Sequence, residues 1–317
     1  MGSGPLPWFL LTHLGKVEAN SFTNAPVAEG VFPVVVYSHG LGIGWTSGNT
    51  PLVEELASQG FIVVAIGHSH IGSSVIFPDK VAEFDPATRV AMDTEPPEEV
   101  MEIYSTVKEI TDPDEQLDVF MRSMAMMPAS IKGKVDVALN TQILDQAFVL
   151  GMLPTLSSEN VNVGIHIDTT KVGFFGMSIG GSASIMTCAK NPKCSAVVNM
   201  DGFHPDQASS VLPVPSLSLH RADNKLLHVN FKEAQNDAYL VEVSGTTHFN
   251  YFDFAILSPL LKKMGVLGTI NGSEGQQIQR DFLTAFFNRY LKGLSAPLLD
   301  GQESHPSKNV VLTRRLS

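Results

Sequence analysis

The stretch Lys171-Val172-Gly173-Phe174-Phe175-Gly176-Met177-Ser178-Ile179-Gly180 decides the fold. Its first half is an apolar, β-prone run. Its second half has the form Gly-x-Ser-x-Gly, and the residues that follow, Gly181-Ser-Ala-Ser-Ile-Met-Thr-Cys-Ala-Lys190, are small and helix-compatible until Asn191-Pro192 stops them. A strand that ends abruptly and re-enters as a helix forces its turn residue into a strained conformation. Only small flanking residues let the two elements pack that closely. Gly176 and Gly180 supply the room, and the turn lifts one atom, Ser178 Oγ, into an attacking position. The five-residue pattern by itself recurs in unrelated α/β proteins, so its weight comes from the strand before it and the helix after it.

Working outward, the same rhythm appears on both sides. Phe32-Pro-Val-Val-Val-Tyr-Ser38 is a continuous β-branched run suited to a strand buried on both faces, and it ends at His39-Gly40-Leu41-Gly42. Thr50-Pro51 offers an N-cap followed by proline at the first helical position. Leu52, Val53, Leu56 and Ala57 give that helix an apolar face, and Gly60 closes it. Phe61-Ile-Val-Val-Ala-Ile66 completes a strand-helix-strand unit whose parallel crossover is right-handed. Further strands are expected at 195–200, 215–220 and 238–243, with a final helix at 276–291. This alternation predicts a mostly parallel sheet flanked by helices, with its site at the carboxyl ends of the strands; taken with the serine turn it is the arrangement expected of an α/β-hydrolase fold. Residues 75–150, acidic and Met-rich, interrupt the rhythm and read as a helical insertion or cap. The expected organisation is an N-terminal arm over 1–30 with at most one edge strand, a single domain over 31–295, and a polar tail over 296–317.

Composition narrows the partners. A chain of 317 residues with 44% hydrophobic content and mean hydropathy +0.10 can bury one large α/β core. The net charge is −11, and between Glu83 and Asp118 twelve acidic residues stand against Arg89 and Lys108, a local balance of −10. The rest of the chain is nearly neutral. A solvated acidic excursion argues against nucleic acid and against electrostatic docking on anionic lipid, which both need clustered Lys and Arg. No run reaches the roughly 20 apolar residues of a membrane span. Pro7-Trp-Phe-Leu-Leu11 is too short for one and lacks the basic start and cleavage site of a signal peptide. Met1-Gly2-Ser3-Gly4 reads like a vector-derived start; the sequence leaves the compartment open, and a secreted or periplasmic protein is expected only if that start replaces an export signal. Cys188 and Cys194, six residues apart, either close a small disulfide loop or lie as two buried thiols. The histidines are scattered, giving no zinc-type grouping, and the chemistry below calls for neither metal nor organic cofactor.

A serine hydroxyl needs a base within hydrogen-bond reach, and the base needs an acid to orient it. With the chain order Ser, acid, His, the candidate bases are His204, His220, His228, His248 and His305. His248 stands in Val243-Ser-Gly-Thr-Thr-His-Phe-Asn250, a flexible turn leaving the last strand, from which an imidazole can lean back over Ser178. His220 ends a strand and His228 falls in a helix, so both read as structural. Two acids sit at strand ends, Asp201 and Asp223; fold logic alone points to the later strand and Asp223. Backbone N–H groups serve best for the oxyanion because they are already oriented. Ile179, next after the serine, and Leu41, in the early Gly-rich turn, are placed to supply them. His39 precedes the serine and reads as a buttress of that turn.

These elements together resemble the platelet-activating factor acetylhydrolases of the plasma and intracellular type II kind, with their bacterial relatives. The resemblance rests on Tyr37-Ser-His-Gly-Leu-Gly42, Ala57-Ser-Gln-Gly-Phe-Ile-Val-Val-Ala65, the serine turn, Asn199-Met-Asp-Gly202 and Gly245-Thr-Thr-His-Phe-Asn-Tyr-Phe-Asp-Phe254. It covers residues 32–293 in order and implies Asp201, rather than Asp223, as the acid, with Ser178, His248, Leu41 and Ile179 in the roles above. Met177 and Ile179 depart from the neighbours that relatives often carry, a change expected to alter the acyl pocket. The implied activity is hydrolysis of short or oxidised acyl esters, as in platelet-activating-factor-like phospholipids, without cofactor. The partner is therefore an ester substrate, presented by a lipid or polymer surface. A polyester or cutinase-like hydrolase is the alternative, and a non-catalytic binding module is the reading from another class. Phe120-Met-Arg-Ser-Met-Ala-Met-Met127 reads either as core or as an adaptable wall for an acyl chain.

Overall fold

The computed structural model describes residues 16–42, 46–159 and 163–317. The start Met1-Gly2-Ser3-Gly4 and the Pro7–Leu11 stretch lie outside the described residues. In chain order the elements are β1 (Phe32–Ser38), α1 (Thr50–Ser58), β2 (Ile62–Ile66), β3 (Val75–Ile76), β4 (Val81–Ala82), α2 (Pro86–Asp93), α3 (Glu98–Val107), α4 (Pro113–Met126) and α5 (Ala129–Glu159). They continue with β5 (Ile167–Met177), α6 (Ile179–Lys190), β6 (Cys194–Met200), β7 (Ser216–Arg221), α7 (His228–Glu233), β8 (Ala238–Val243), α8 (Phe254–Leu257), α9 (Pro259–Lys263), α10 (Gly272–Lys292), α11 (Pro297–Asp300) and β9 (Val310–Arg315). The main sheet runs β2-β1-β5-β6-β7-β8-β9. All its pairings are parallel except that of β8 with β9.

Strand alternation divides the core in two. Val35 and Tyr37 of β1, with Phe175 and Met177 of β5, pack against Leu52 and Leu56 of α1 and Phe282, Phe286 and Phe287 of α10. Val34, Val36, Val172 and Phe174 point the other way, onto Leu150 and Leu153 of α5 and Ile185 and Cys188 of α6. Both faces are covered, as a parallel sheet requires. Cys188 is bonded to Cys194, their Cα atoms 5.2 Å apart, which ties the end of α6 to the start of β6.

Two boundaries differ from those expected. The helical excursion is shorter than 75–150, because α5 belongs to the layer on the sheet: Ala138 and Leu139 pack with Ile179, Ala183 and Met186 of α6. Its buried side, which carries Gln142 and Gln146 as well as Ala138, Leu139, Leu150 and Leu153, is covered there, whereas the acidic α2–α4 stay largely at the surface. The polar tail is not a tail: Val310–Arg315 pairs antiparallel with Ala238–Val243 as the seventh strand. Residues 16–30 contain no strand, and the rest of the arm lies outside the described residues.

The start of α1 also differs. Thr50 is already helical and is preceded by Asn49, which is buried and bonded at both ends: Tyr37 Oη donates to Asn49 Oδ1 at 2.6 Å and Asn49 Nδ2 donates to the Tyr251 carbonyl at 2.7 Å. Thr50 N–H donates to Asp253 Oδ2 at 3.0 Å. Burial pushes the Asp253 carboxyl up to about 8; the Thr50 N–H, which favours the ionised form, only partly offsets this. A carboxyl raised above its unfolded value binds a proton in the native state that the unfolded chain has released. Stability from this group is therefore fully present below about pH 4 and is lost as pH rises towards 8. We expect urea titrations between pH 5 and 8 to show a loss on the order of 1.4 kcal/mol per pH unit from this residue, and the slope to flatten in Asp253→Asn. An unchanged slope in the variant would refute the assignment.

Candidate active site

Ser178 occupies the junction of β5 and α6 with φ 57° and ψ −127°, a left-handed conformation that an L-residue adopts only when its surroundings enforce it. The enforcement is visible. A Cβ on Gly176 would lie 2.3 Å from the Gly180 carbonyl carbon, and one on Gly180 would lie 2.2 Å from the Ser38 carbonyl oxygen. Ser178 N–H donates to the Met200 carbonyl at 2.9 Å, anchoring the turn to β6.

His248 opens a short 3₁₀ turn, His248–Tyr251, at the end of the segment leaving β8. Asn250 holds that turn in shape, since its Oδ1 accepts from Thr247 N–H and from Gly268 N–H, each at 2.8 Å. His248 Nε2 is 3.0 Å from Ser178 Oγ, and its Nδ1 is 2.7 Å from Asp201 Oδ2. Asp201 follows β6 directly, is 3% exposed and has φ 50°. Its Oδ1 accepts from Asn224 Nδ2 at 2.8 Å, and Arg221 pairs with Oδ2 at 3.6 Å. Burial alone would raise this carboxyl. The His248 hydrogen bond, the Arg221 charge and the Asn224 amide together outweigh burial and hold it below the ordinary carboxylate range. An ionised acid, an oriented imidazole and a serine hydroxyl thus lie in one hydrogen-bonded line, an arrangement able to move the serine proton onto nitrogen.

The other candidates lie elsewhere. Asp223 is ion-paired with Arg221 Nε at 2.8 Å. His204 faces Asp136 at 3.1 Å, and His305 faces Asp281 at 3.1 Å. His220 is fully buried, which lowers it to about 4, and its Nδ1 contacts the Arg221 carbonyl. His228 pairs with Glu242. Leu41 sits in the turn after β1, partly buried against the cluster that contains Ile179, the first residue of α6. Of the two serine neighbours, Met177 is fully buried in the core cluster that holds Tyr37, Met200 and Tyr251, and Ile179 is buried in the cluster against which Leu41 packs. In the Met-rich segment Phe120 is core, packed edge-on against Phe203 with centroids 5.4 Å apart, while Met121 and Met126 are exposed. A surface cavity of about 520 Å³ between α3 and α4 is lined by Ile103, Val119 and Met126 among others, and by none of the residues around Ser178.

Sequence reasoning missed Arg221, Asn224, Asn250 and Asn199. Asn199 stitches the Asp201 turn from both sides, its Nδ2 donating to the Gly202 carbonyl at 2.8 Å and its Oδ1 accepting from Gly202 N–H at 3.0 Å. The Asn199-Met-Asp-Gly202 string carried that signal, because an asparagine two residues before an Asp-Gly turn is a local hydrogen-bonding device. Arg221 and Asn224 had none, since their contact with Asp201 exists only across β6 and β7. Among the described residues no group of three His, Cys, Asp or Glu could hold a metal ion, and no helix is long and apolar enough to cross a membrane.

The family model for platelet-activating factor acetylhydrolase, isoform II, matches residues 8–297. The chain belongs to that family. Similar curated members are the platelet-activating factor acetylhydrolase of Canis lupus familiaris, 22% identical over 97% of this chain and 70% of its own, and that of Cavia porcellus, 22% identical over 87% and 62%. The chain thus spans between three-fifths and three-quarters of these relatives' lengths. A solved ferulic acid esterase from Streptomyces cinnamoneus superposes with a TM-score of 0.64 at 22% identity, covering 91% of this chain and 76% of the other, which establishes the α/β-hydrolase fold. As a member of the family the chain is an ester-bond hydrolase.

Proposed function

We propose that the chain hydrolyses short or oxidised acyl esters of platelet-activating-factor-like phospholipids through an acyl-enzyme on Ser178. The hydrogen-bonded line Ser178–His248–Asp201, with spacings of 3.0 and 2.7 Å, is the observation that carries this reading. His248 Nε2 takes the Ser178 proton as Oγ bonds to the ester carbonyl carbon, and the carbonyl π pair moves onto oxygen. Leu41 and Ile179 N–H donate to that oxyanion. Collapse breaks the ester C–O bond while His248 returns the proton to the departing alcohol. A water, deprotonated by the same imidazole, then attacks the acyl-enzyme, and Ser178 recovers its proton as the acid leaves. Asp201 holds the Nδ1–H tautomer and stabilises the imidazolium.

A non-catalytic binding module would have no use for a strained serine aligned on a buried His–Asp pair. The test of substrate class is an acyl series at the sn-2 position of a phosphocholine, from acetyl to palmitoyl, with an ω-carboxy acyl chain as the oxidised member. The expected outcome is kcat/KM at least about 100-fold higher for acetyl and ω-carboxy chains than for palmitoyl, a discrimination of roughly 3 kcal/mol. A flat profile would overturn the assignment to short or oxidised acyl groups, and soluble acid released from polyester film in place of phospholipid turnover would move the function to polyesters.

A further inference from the structure

Beside the site stands a second Ser–His–Asp line. His68, just beyond β2, places Nδ1 2.8 Å from Asp145 Oδ2 on α5 and Nε2 3.0 Å from Ser38 Oγ at the end of β1. Ser38 and His68 are wholly buried, while the Asp145 side chain is 38% exposed. An attacking role is therefore closed to Ser38, whose oxygen no ester can reach. With the Nδ1–H tautomer of His68 donating to Asp145, Nε2 accepts the Ser38 hydroxyl proton. Ser38 Oγ in turn accepts from Gln146 Nε2 at 2.8 Å.

The line ends where the oxyanion turn begins. Gln142 Nε2 donates to the His39 carbonyl at 3.0 Å, so Gln142, Asp145 and Gln146, one face of α5, all grip residues 38, 39 and 68. His39 Nδ1 donates to the Gly40 carbonyl at 2.8 Å, and its Nε2 accepts His68 N–H at 3.3 Å. Burial, reinforced by neighbouring His68, lowers His39 to about 4, so it stays neutral and can make both bonds. Gly42 N–H donates to the Ile71 carbonyl at 2.9 Å. Leu41 is thus suspended between clamped neighbours on either side.

We propose that Ser38, His68 and Asp145 form a positioning array that fixes the aim of Leu41 N–H at the oxyanion. This rests on the reading of Leu41 as an oxyanion donor. The three residues act through the turn and touch no reacting atom. The benefit is greatest in the transition state, where a donor displaced by a fraction of an ångström loses much of its electrostatic effect. Anchoring the turn through a polar line to α5 gives it a directional restraint that apolar packing alone does not.

Asp145→Ala removes the exposed end of the array and Ser38→Ala the buried end, neither with a large change of volume. For each, kcat is expected to fall about tenfold to a hundredfold with KM within about twofold. A trifluoromethyl ketone, whose hemiketal with Ser178 places an oxyanion in the hole, should bind more weakly by the same factor, while inhibition by the product acid is unchanged. Because the array works as a unit, the double variant should be no worse than the weaker single one. Unaltered kcat in both variants, trifluoromethyl ketone affinity that does not follow kcat, or losses that multiply in the double variant would each overturn the proposal. Circular dichroism melting curves for each variant separate these results from misfolding. The Ser178→Ala protein keeps the two hypotheses apart: turnover there within about tenfold of wild type would refute the acyl-enzyme reading itself, whatever the array does.

Discussion

Ser178→Ala is expected to lower kcat for ester hydrolysis by about 10⁶-fold and to abolish covalent labelling by an organophosphate. Oγ is the only atom of the turn aligned on His248 Nε2, and its removal leaves an imidazole with no hydroxyl to deprotonate. The variant should keep its fold. Alanine has a Cβ like serine, so it pays the same cost at φ 57°, and the clamp from Gly176, Gly180 and the Met200 carbonyl does not involve Oγ. Active-site titration with a fluorophosphonate, followed by intact-mass spectrometry, checks the result. A wild-type protein that folds and takes no label would sink the hydrolase mechanism.

The second large effect separates two carboxylates. Asp201→Asn should lower kcat on the order of 10⁴-fold, because an amide facing Nδ1 can hold the wrong imidazole tautomer and cannot balance the imidazolium. Asp223→Asn should cost less than about tenfold. Its carboxylate touches Arg221, and Arg221 keeps its second partner, Asp201, in its absence. The same carboxyl contributes to stability. Asp201 is held below its unfolded value, so its contribution is present above about pH 4 and is lost as pH falls through the lower native value. Steady-state kinetics on both variants decide the matter, and a larger loss from Asp223→Asn would reverse the assignment.

The serine turn and the two-face core were legible because local chemistry fixes them. A β-branched run, two glycines and a helix-compatible segment point to one geometry, and the alternation Val34, Val35, Val36, Tyr37 sorts each side chain to its own layer. The acid was less legible. Asp201 and Asp223 both follow strands and both precede turn residues, so local pattern left the choice open; the resemblance implied Asp201, and Asp201 is the one that stands 2.7 Å from His248 Nδ1. The supporting shell was not legible at all. Asn224, Arg221 and the His68–Asp145 pair act over sequence separations that no local pattern records. The acidic run hid a boundary too: the charge ends near Asp118, but the excursion ends only where α5 packs Ala138 and Leu139 against α6.

The strand formed by Val310–Arg315 has a bearing on how the protein can be handled. By pairing with β8 it takes up main-chain groups of Ala238–Val243 that would otherwise face solvent along an apolar, flat margin. Such a margin is a template for a second chain. Cutting the protein ahead of Val310, or straining that segment with a closely fused partner, therefore uncovers an adhesive edge, and the first symptom would be self-association in concentrated stocks before any loss of turnover.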